Sequence, residues 1–158
     1  MNTKYYIAYG SNLNVQQMRW RCPTAKVAGI ATLRDWRLLF RGSGSGAYLT
    51  IEQELGAETP VGVWRITDAD ERALDRYEGF PRFYYKRELE IEMQDIKNGK
   101  RRSVKAMVYI MREDRPIGIP STDYLRICGK GYVDFGFDWE PLEDALTYSK
   151  AMSRKEVI

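Results

Sequence analysis

Phe83-Tyr84-Tyr85-Lys86-Arg87-Glu88-Leu89-Glu90-Ile91-Glu92-Met93 and Ser103-Val104-Lys105-Ala106-Met107-Val108-Tyr109-Ile110-Met111 lie on either side of an Asn98-Gly99 dipeptide. Two long β-prone runs around such a dipeptide are a strong short-range signal for a hairpin. The hairpin decides the fold class because of what stands around it. Upstream, further strands are expected over residues 5–9, 27–33, 37–40, 48–53 and 61–66, the last opened by Pro60. Gly42-Ser43-Gly44-Ser45-Gly46 reads as a flexible connector, although bare glycine backbone can also approach a ligand. Downstream, a helix is expected from Ser121 or Thr122 to Cys128, with Gly129, Gly131 and Gly136 interrupting it. A final helix is expected over 141–152. Many strands followed by terminal helices define an α+β chain, with a small mixed sheet curled toward a barrel. No repeat and no long linker divides residues 1–158, so a single domain is expected.

The totals narrow the function classes. The 158 residues suffice for a real core. The 25 basic and 22 acidic residues are interspersed, giving a net charge of +3. The one basic run, Lys100-Arg101-Arg102, follows the Asn98-Gly99 turn and reads as a solvated turn, so no nucleic-acid partner is expected. No stretch approaches the roughly 20 apolar residues of a membrane span. The apolar part of the start is too short for a signal peptide. A cytoplasmic protein without a membrane partner is expected. Cys22 and Cys128 are isolated and lack metal-ligand spacing, so they read as buried free thiols. Eleven Tyr and four Trp make the chain aromatic-rich. Most such rings are core, and some can wall a pocket.

Two short helices flank the candidate chemistry. Asn14 caps one that runs to about Arg21 and is stopped by Pro23. Thr67-Asp68-Ala69-Asp70 forms a capping box that starts another, running to about Tyr77 and ended by Gly79. Its apolar stripe is read as Ala69, Ala73, Leu74 and Tyr77. Glu78 follows Leu74 by four residues and so points within about 40° of it. It leans toward the buried side, at the helix end where the macrodipole disfavours negative charge. Burial and the dipole both raise a carboxylate pKa, which suits a group that takes a proton and returns it. Phe80, Phe83, Tyr84 and Tyr85 could supply apolar walls. The competing local reading is a surface Glu paired with Arg82 or Lys86.

Tyr9-Gly10-Ser11-Asn12-Leu13 joins the first strand to the first helix. A strand ending in Gly, then Ser-Asn before a helix start, leaves converging N–H groups that attract carboxylate or oxyanion charge. A tight turn with Asn as its cap explains the string equally well. The chain contains no histidine. Serine chemistry therefore lacks its usual base, a His-containing metal site is excluded, and no tight carboxylate cluster is present. No metal is expected.

These segments resemble the gamma-glutamylcyclotransferase-like family, which includes proteins described as AIG2-like. The string Tyr9 to Leu13 is that family's most recognisable signature. Gly46-Ala47-Tyr48-Leu49-Thr50-Ile51 is similar to its glycine-led strand, and Val61-Gly62-Val63-Trp64-Arg65-Ile66 to its Val/Trp strand in shortened form. Leu74-Asp75-Arg76-Tyr77-Glu78-Gly79 resembles the segment holding its catalytic glutamate. Pro120-Ser121-Thr122-Asp123-Tyr124-Leu125-Arg126-Ile127 resembles its segment with a pocket tyrosine. The resemblance covers roughly residues 4–146. It implies a small mixed β-barrel with flanking helices and one cavity. It also implies cyclisation of a γ-glutamyl group to 5-oxoproline with release of the attached amine or amino acid, without a cofactor. Glu78 would be the acid/base; Tyr9, Gly10, Ser11, Asn12 and Leu13 the substrate-binding loop; Tyr124 a pocket wall. The implied partner is a small γ-glutamyl molecule; the sequence sets neither its leaving group nor the oligomeric state. The alternative on the same fold is a non-catalytic module that binds a small carboxylate.

Overall fold

The computed structural model describes residues 2–43 and 46–156. Five strands close into a barrel in the order β1-β3-β2-β4-β5. They are β1 (Thr3–Ala8), β2 (Lys26–Ser43), β3 (Gly46–Thr67), β4 (Tyr84–Asp95) and β5 (Arg101–Met111). Neighbours are antiparallel except at the seam, where β1 and β5 run parallel through Tyr5↔Ala106 and Tyr6↔Met107. A parallel seam requires the chain to cross over, and this makes the sheet mixed. The α+β barrel expected from the sequence is therefore present. Four helices flank it: α1 (Val15–Arg21), α2 (Asp68–Glu78), α3 (Thr122–Phe135) and α4 (Glu140–Glu156).

The expected hairpin of residues 83–93 and 103–111 is β4–β5, paired from Tyr84↔Met111 to Gln94↔Arg101. The four strands expected over 27–66 are in fact two. β2 and β3 pair from Lys26↔Arg65 to Ser43↔Gly46, with register shifts at Val27/Gly29 and Arg34/Trp36. Asp35 adopts φ 66° at the second shift, and its carboxylate accepts the Gly56 N–H at 2.8 Å. The turn-like residues therefore mark a bulge and not a break. A bulge adds bend and twist, which a long hairpin needs to wrap a small barrel. The connector expected at 42–46 shortens accordingly. Gly42 and Gly46 sit within strands, and residues 44 and 45 lie outside the described residues.

The helix caps follow the sequence closely. The Asn14 side chain accepts the Gln17 N–H at 3.0 Å. Thr67 and Asp70 form the reciprocal capping box, and Gly79 ends α2 in the left-handed conformation. The expected interruption of α3 at Gly129 and Gly131 does not occur, and the helix runs on to Gly136. Gly131 serves packing instead: a Cβ there would lie 2.6 Å from the Asn14 backbone nitrogen. A helical glycine costs about 1 kcal/mol relative to alanine. Here it lets α3 lie directly on the segment after β1.

The barrel interior is filled by Ile7, Phe40, Leu49, Ile51, Val63 and Val108, each at most 1% exposed. Cys22 and Cys128 are buried and unbridged. Among the described residues no helix is long and apolar enough to cross a membrane.

Candidate active site

The buried stripe of α2 differs from the one read in the sequence. Ala69 is exposed, whereas Asp70 and Leu74 are buried at 2% and 0%. Asp70, Leu74 and Glu78 are spaced four apart and share one face. Asp70 tolerates burial because its carboxylate accepts the Thr67 N–H at 3.0 Å and the Thr24 hydroxyl at 2.7 Å. The stripe thus delivers Glu78 inward at the helix end, one turn past Leu74.

The turn after β1 faces it. Ser11–Leu13 form a single 3-10 turn in which the Leu13 and Asn14 N–H groups bond to the carbonyls of Gly10 and Ser11. A short helical turn leaves its first N–H groups unpaired. Among the described residues, the Ser11 and Asn12 N–H groups have no partner in the chain. Asn12 is fixed at both its backbone and its side chain. Its carbonyl accepts the Trp64 indole N–H at 2.9 Å. Its amide nitrogen donates to the Tyr6 hydroxyl at 2.7 Å and to Glu78 Oε1 at 3.4 Å.

Between turn and helix lies a cavity of about 560 Å³. Of the residues singled out in the sequence, Tyr9, Gly10, Ser11, Asn12, Glu78 and Tyr124 line it. Leu13 does not line it. It is fully buried, and an added Cβ at Gly62 or Gly131 would strike it. Several hydroxyls in the wall are already engaged. The Tyr9 hydroxyl donates to the Tyr109 carbonyl at 2.7 Å, and that of Tyr124 accepts the Leu49 N–H at 3.0 Å. The Tyr9 hydroxyl has thus spent its proton on the chain, whereas the Tyr124 hydroxyl accepts that bond and keeps its own proton to donate. Tyr84 is likewise bonded, donating to the Leu49 carbonyl at 2.8 Å.

Glu78 is the only carboxylate in the lining, among the described residues. The residue as a whole is half-buried. Its carboxyl group is nonetheless surrounded by protein, and this burial pushes its pKa up to about 8, with the Arg21 charge opposing the rise. Burial, and then the Glu78 charge, hold the Tyr6 and Tyr9 phenols well above their ordinary range. The site therefore joins one titratable carboxyl to neutral phenols. Lys86 does not pair with it, bonding instead to Glu71 at 2.7 Å and Asp75 at 2.9 Å. Of the apolar walls expected after Glu78, Phe83 and Tyr84 line the cavity. Phe80 packs edge-on against Tyr109, and the Tyr85 hydroxyl binds the Glu113 carboxylate.

The sequence reading missed Tyr6, Tyr48, Arg76, Tyr77 and Tyr109 in the lining, and Arg21 beside it. Tyr6 precedes the recognised string by three residues, and its place on β1 could have drawn notice. Tyr109 and Arg21 reach the site only through tertiary packing. Among the described residues no three His, Cys, Asp or Glu side chains converge as a metal-ion site.

Fold and cavity together define a five-stranded barrel protein with one carboxylate set in a tyrosine-rich hollow. A family model described as gamma-glutamyl cyclotransferase, AIG2-like matches residues 6–126. The gamma-glutamylcyclotransferase of Mus musculus is 30% identical over 146 residues, spanning 87% of this chain and 74% of that protein. That of Homo sapiens is also 30% identical, spanning 87% and 73%. A solved gamma-glutamyl cyclotransferase structure superposes with a TM-score of 0.78 at 27% identity, covering 91% of this chain and 86% of the other. The chain belongs to the gamma-glutamyl cyclotransferase, AIG2-like family, and is an enzyme of the gamma-glutamylcyclotransferase type.

Proposed function

We propose that this enzyme cyclises the γ-glutamyl group of a small γ-glutamyl compound to 5-oxoproline, releasing the attached amine or amino acid, with Glu78 as general base and then acid. The observation that carries the reading is the Glu78 carboxyl, buried in the cavity wall, 3.4 Å from Asn12 and pushed up to about 8. An α-amine has a pKa of about 8 and is mostly protonated near neutrality. Its proton must leave before the nitrogen can attack. Two groups of similar pKa exchange a proton at little cost, so the match favours this transfer.

In the reaction the Glu78 carboxylate takes a proton from the α-ammonium. The freed nitrogen lone pair attacks the γ-carbonyl carbon, and the carbonyl electrons move to oxygen. The oxyanion collapses, the γ-carbon–nitrogen bond breaks, and the departing nitrogen collects a proton from Glu78. A second proton from the ring-forming nitrogen then returns the carboxyl to its protonated form, and release to solvent resets it. Both reacting groups belong to one molecule, so a cavity that holds the glutamyl chain folded supplies much of the acceleration. The unpaired N–H groups at Ser11 and Asn12 can hold the α-carboxylate or the oxyanion. Tyr9, Gly10 and Tyr124 shape the wall, and Leu13 supports the turn from beneath.

Glu78→Gln keeps the size and hydrogen-bonding capacity of the side chain but not its base. With a panel of γ-glutamyl amino acids and amines, the native protein should release 5-oxoproline. The variant should lose about 10²–10⁴-fold in kcat while melting cooperatively. A folded Glu78→Gln protein of native activity would remove Glu78 from the mechanism.

A further inference from the structure

Arg21, the last residue of α1, takes no part in the steps above, yet it is clamped beside them. One guanidinium nitrogen donates to the Asn12 side-chain oxygen. The other donates to Gln17 Oε1 at 3.1 Å, one turn earlier on the same helix. The guanidinium carbon lies 3.4 Å from the centre of the Tyr77 ring, whose hydroxyl meets Ser11 Oγ at 3.0 Å. Among the described residues, no carboxylate forms a salt bridge with Arg21.

Two consequences follow. The two ends of an asparagine amide are nearly the same size but opposite in hydrogen bonding. A guanidinium only donates, so the end of Asn12 that meets Arg21 must be oxygen. The NH2 end is then forced toward the Tyr6 hydroxyl and Glu78 Oε1. Charge is the other consequence. β1 and its turn present Tyr6 and Tyr9 to the cavity, with the Cys22 thiol behind Tyr6. β4, β5 and α3 present Tyr84, Tyr109 and Tyr124. Burial keeps all of these groups neutral. On α2 itself, Tyr77 lies under the guanidinium and Arg76 sits at the exposed rim. Asp75 is taken up by Lys86 and by the Tyr109 hydroxyl at 2.5 Å. Arg21 is therefore the cation that counters burial of the Glu78 charge.

We propose that Arg21 is a positioning residue for Glu78: it fixes the Asn12 amide so that a donor faces the carboxylate, and its charge favours the anionic form that acts as base. The proposal rests on the reading of Glu78 as the base, and the test separates the two. kcat and kcat/KM for 5-oxoproline release would be measured from pH 5.5 to 10 in native, Arg21→Met, Arg21→Lys and Glu78→Gln proteins, with a thermal melt of each.

Arg21→Met should move the rising limb of kcat/KM upward by about one pH unit, since loss of an opposite charge raises a carboxylate pKa on that scale. Its activity near pH 7 should drop about tenfold and recover toward pH 10. Arg21→Lys should keep the native limb but lower the plateau kcat at least threefold, because an ammonium on Tyr77 cannot fork between Asn12 and Gln17. A folded Arg21→Met enzyme whose limb coincides with the native one overturns the proposal, whatever its plateau. If Arg21→Met does not fold, Arg21→Lys decides, and a plateau within twofold of native overturns it. Native-like turnover in Glu78→Gln would instead mean that the reading beneath it has failed.

Discussion

Burial of the Glu78 carboxyl makes the stability of the chain depend on pH. Its carboxyl titrates near 8 in the folded chain, against an ordinary 4.5. The folded state therefore holds the proton more tightly than the unfolded one. Stability is greatest below the unfolded value and falls as pH rises toward 8, by up to about 5 kcal/mol if the whole shift is realised. Glu78→Gln removes that penalty. Its melting temperature should exceed the native one by several degrees at pH 9, and the gap should close by pH 5. Melts across this range check the sign. A gap independent of pH would mean that the carboxyl is not the titrating group. Glu78 was legible as a residue leaning inward, because four positions on a helix return nearly to the same face. Its proximity to Asn12, by contrast, depends on two segments separated by 66 residues.

At the scale of elements, α2 is a lever with a cap at each end. The capping box was legible because its signal is local: a threonine, then an acid three residues on. The burial of Asp70 was not, since it requires Thr24 and Cys22 from the segment after α1. Asp70→Ala should cost about 1 kcal/mol, since the capping box loses its acid and the half-buried Thr67 N–H its acceptor. Denaturant titration would show it as a lower midpoint at unchanged m-value. At the far end Gly79 adopts φ 66°, and a Cβ there would press on Phe83 Cβ at 3.2 Å. Gly79→Ala should destabilise by about 1 kcal/mol. It should also lower kcat more than Asp70→Ala does, because it perturbs the residue that directly follows Glu78. Equal effects of the two on kcat would place the strain elsewhere.

Across the whole molecule, the site exists because the barrel closes. β1 ends beside β3 and β5, and this seam carries the 9–13 turn to the cavity rim. α3 then seals the turn from outside through Gly131. Gly131→Ala forces a methyl group to within 2.6 Å of the Asn14 nitrogen. Although alanine is the better helix former, this variant should lose about 2 kcal/mol or more, since overpacking outweighs propensity. On the proposed function, any folded fraction should also bind substrate more weakly, because the displaced turn carries Ser11 and Asn12. A stabilised, fully active Gly131→Ala protein would show that α3 is not packed against the turn.

The strand-rich body, both caps of α2, the β4–β5 hairpin and the inward lean of Glu78 follow from the chain alone. Each depends on residues a few positions apart, whose geometry is set by backbone periodicity and turn chemistry. The fusion of four expected strands into two, the unbroken course of α3, the burial of Asp70 and the convergence of Arg21, Asn12 and Tyr6 on one carboxyl do not. They depend on which surfaces meet once the barrel has closed. Packing can outweigh a helical glycine, which costs only about 1 kcal/mol, and local pattern carries no record of the partner that decides it.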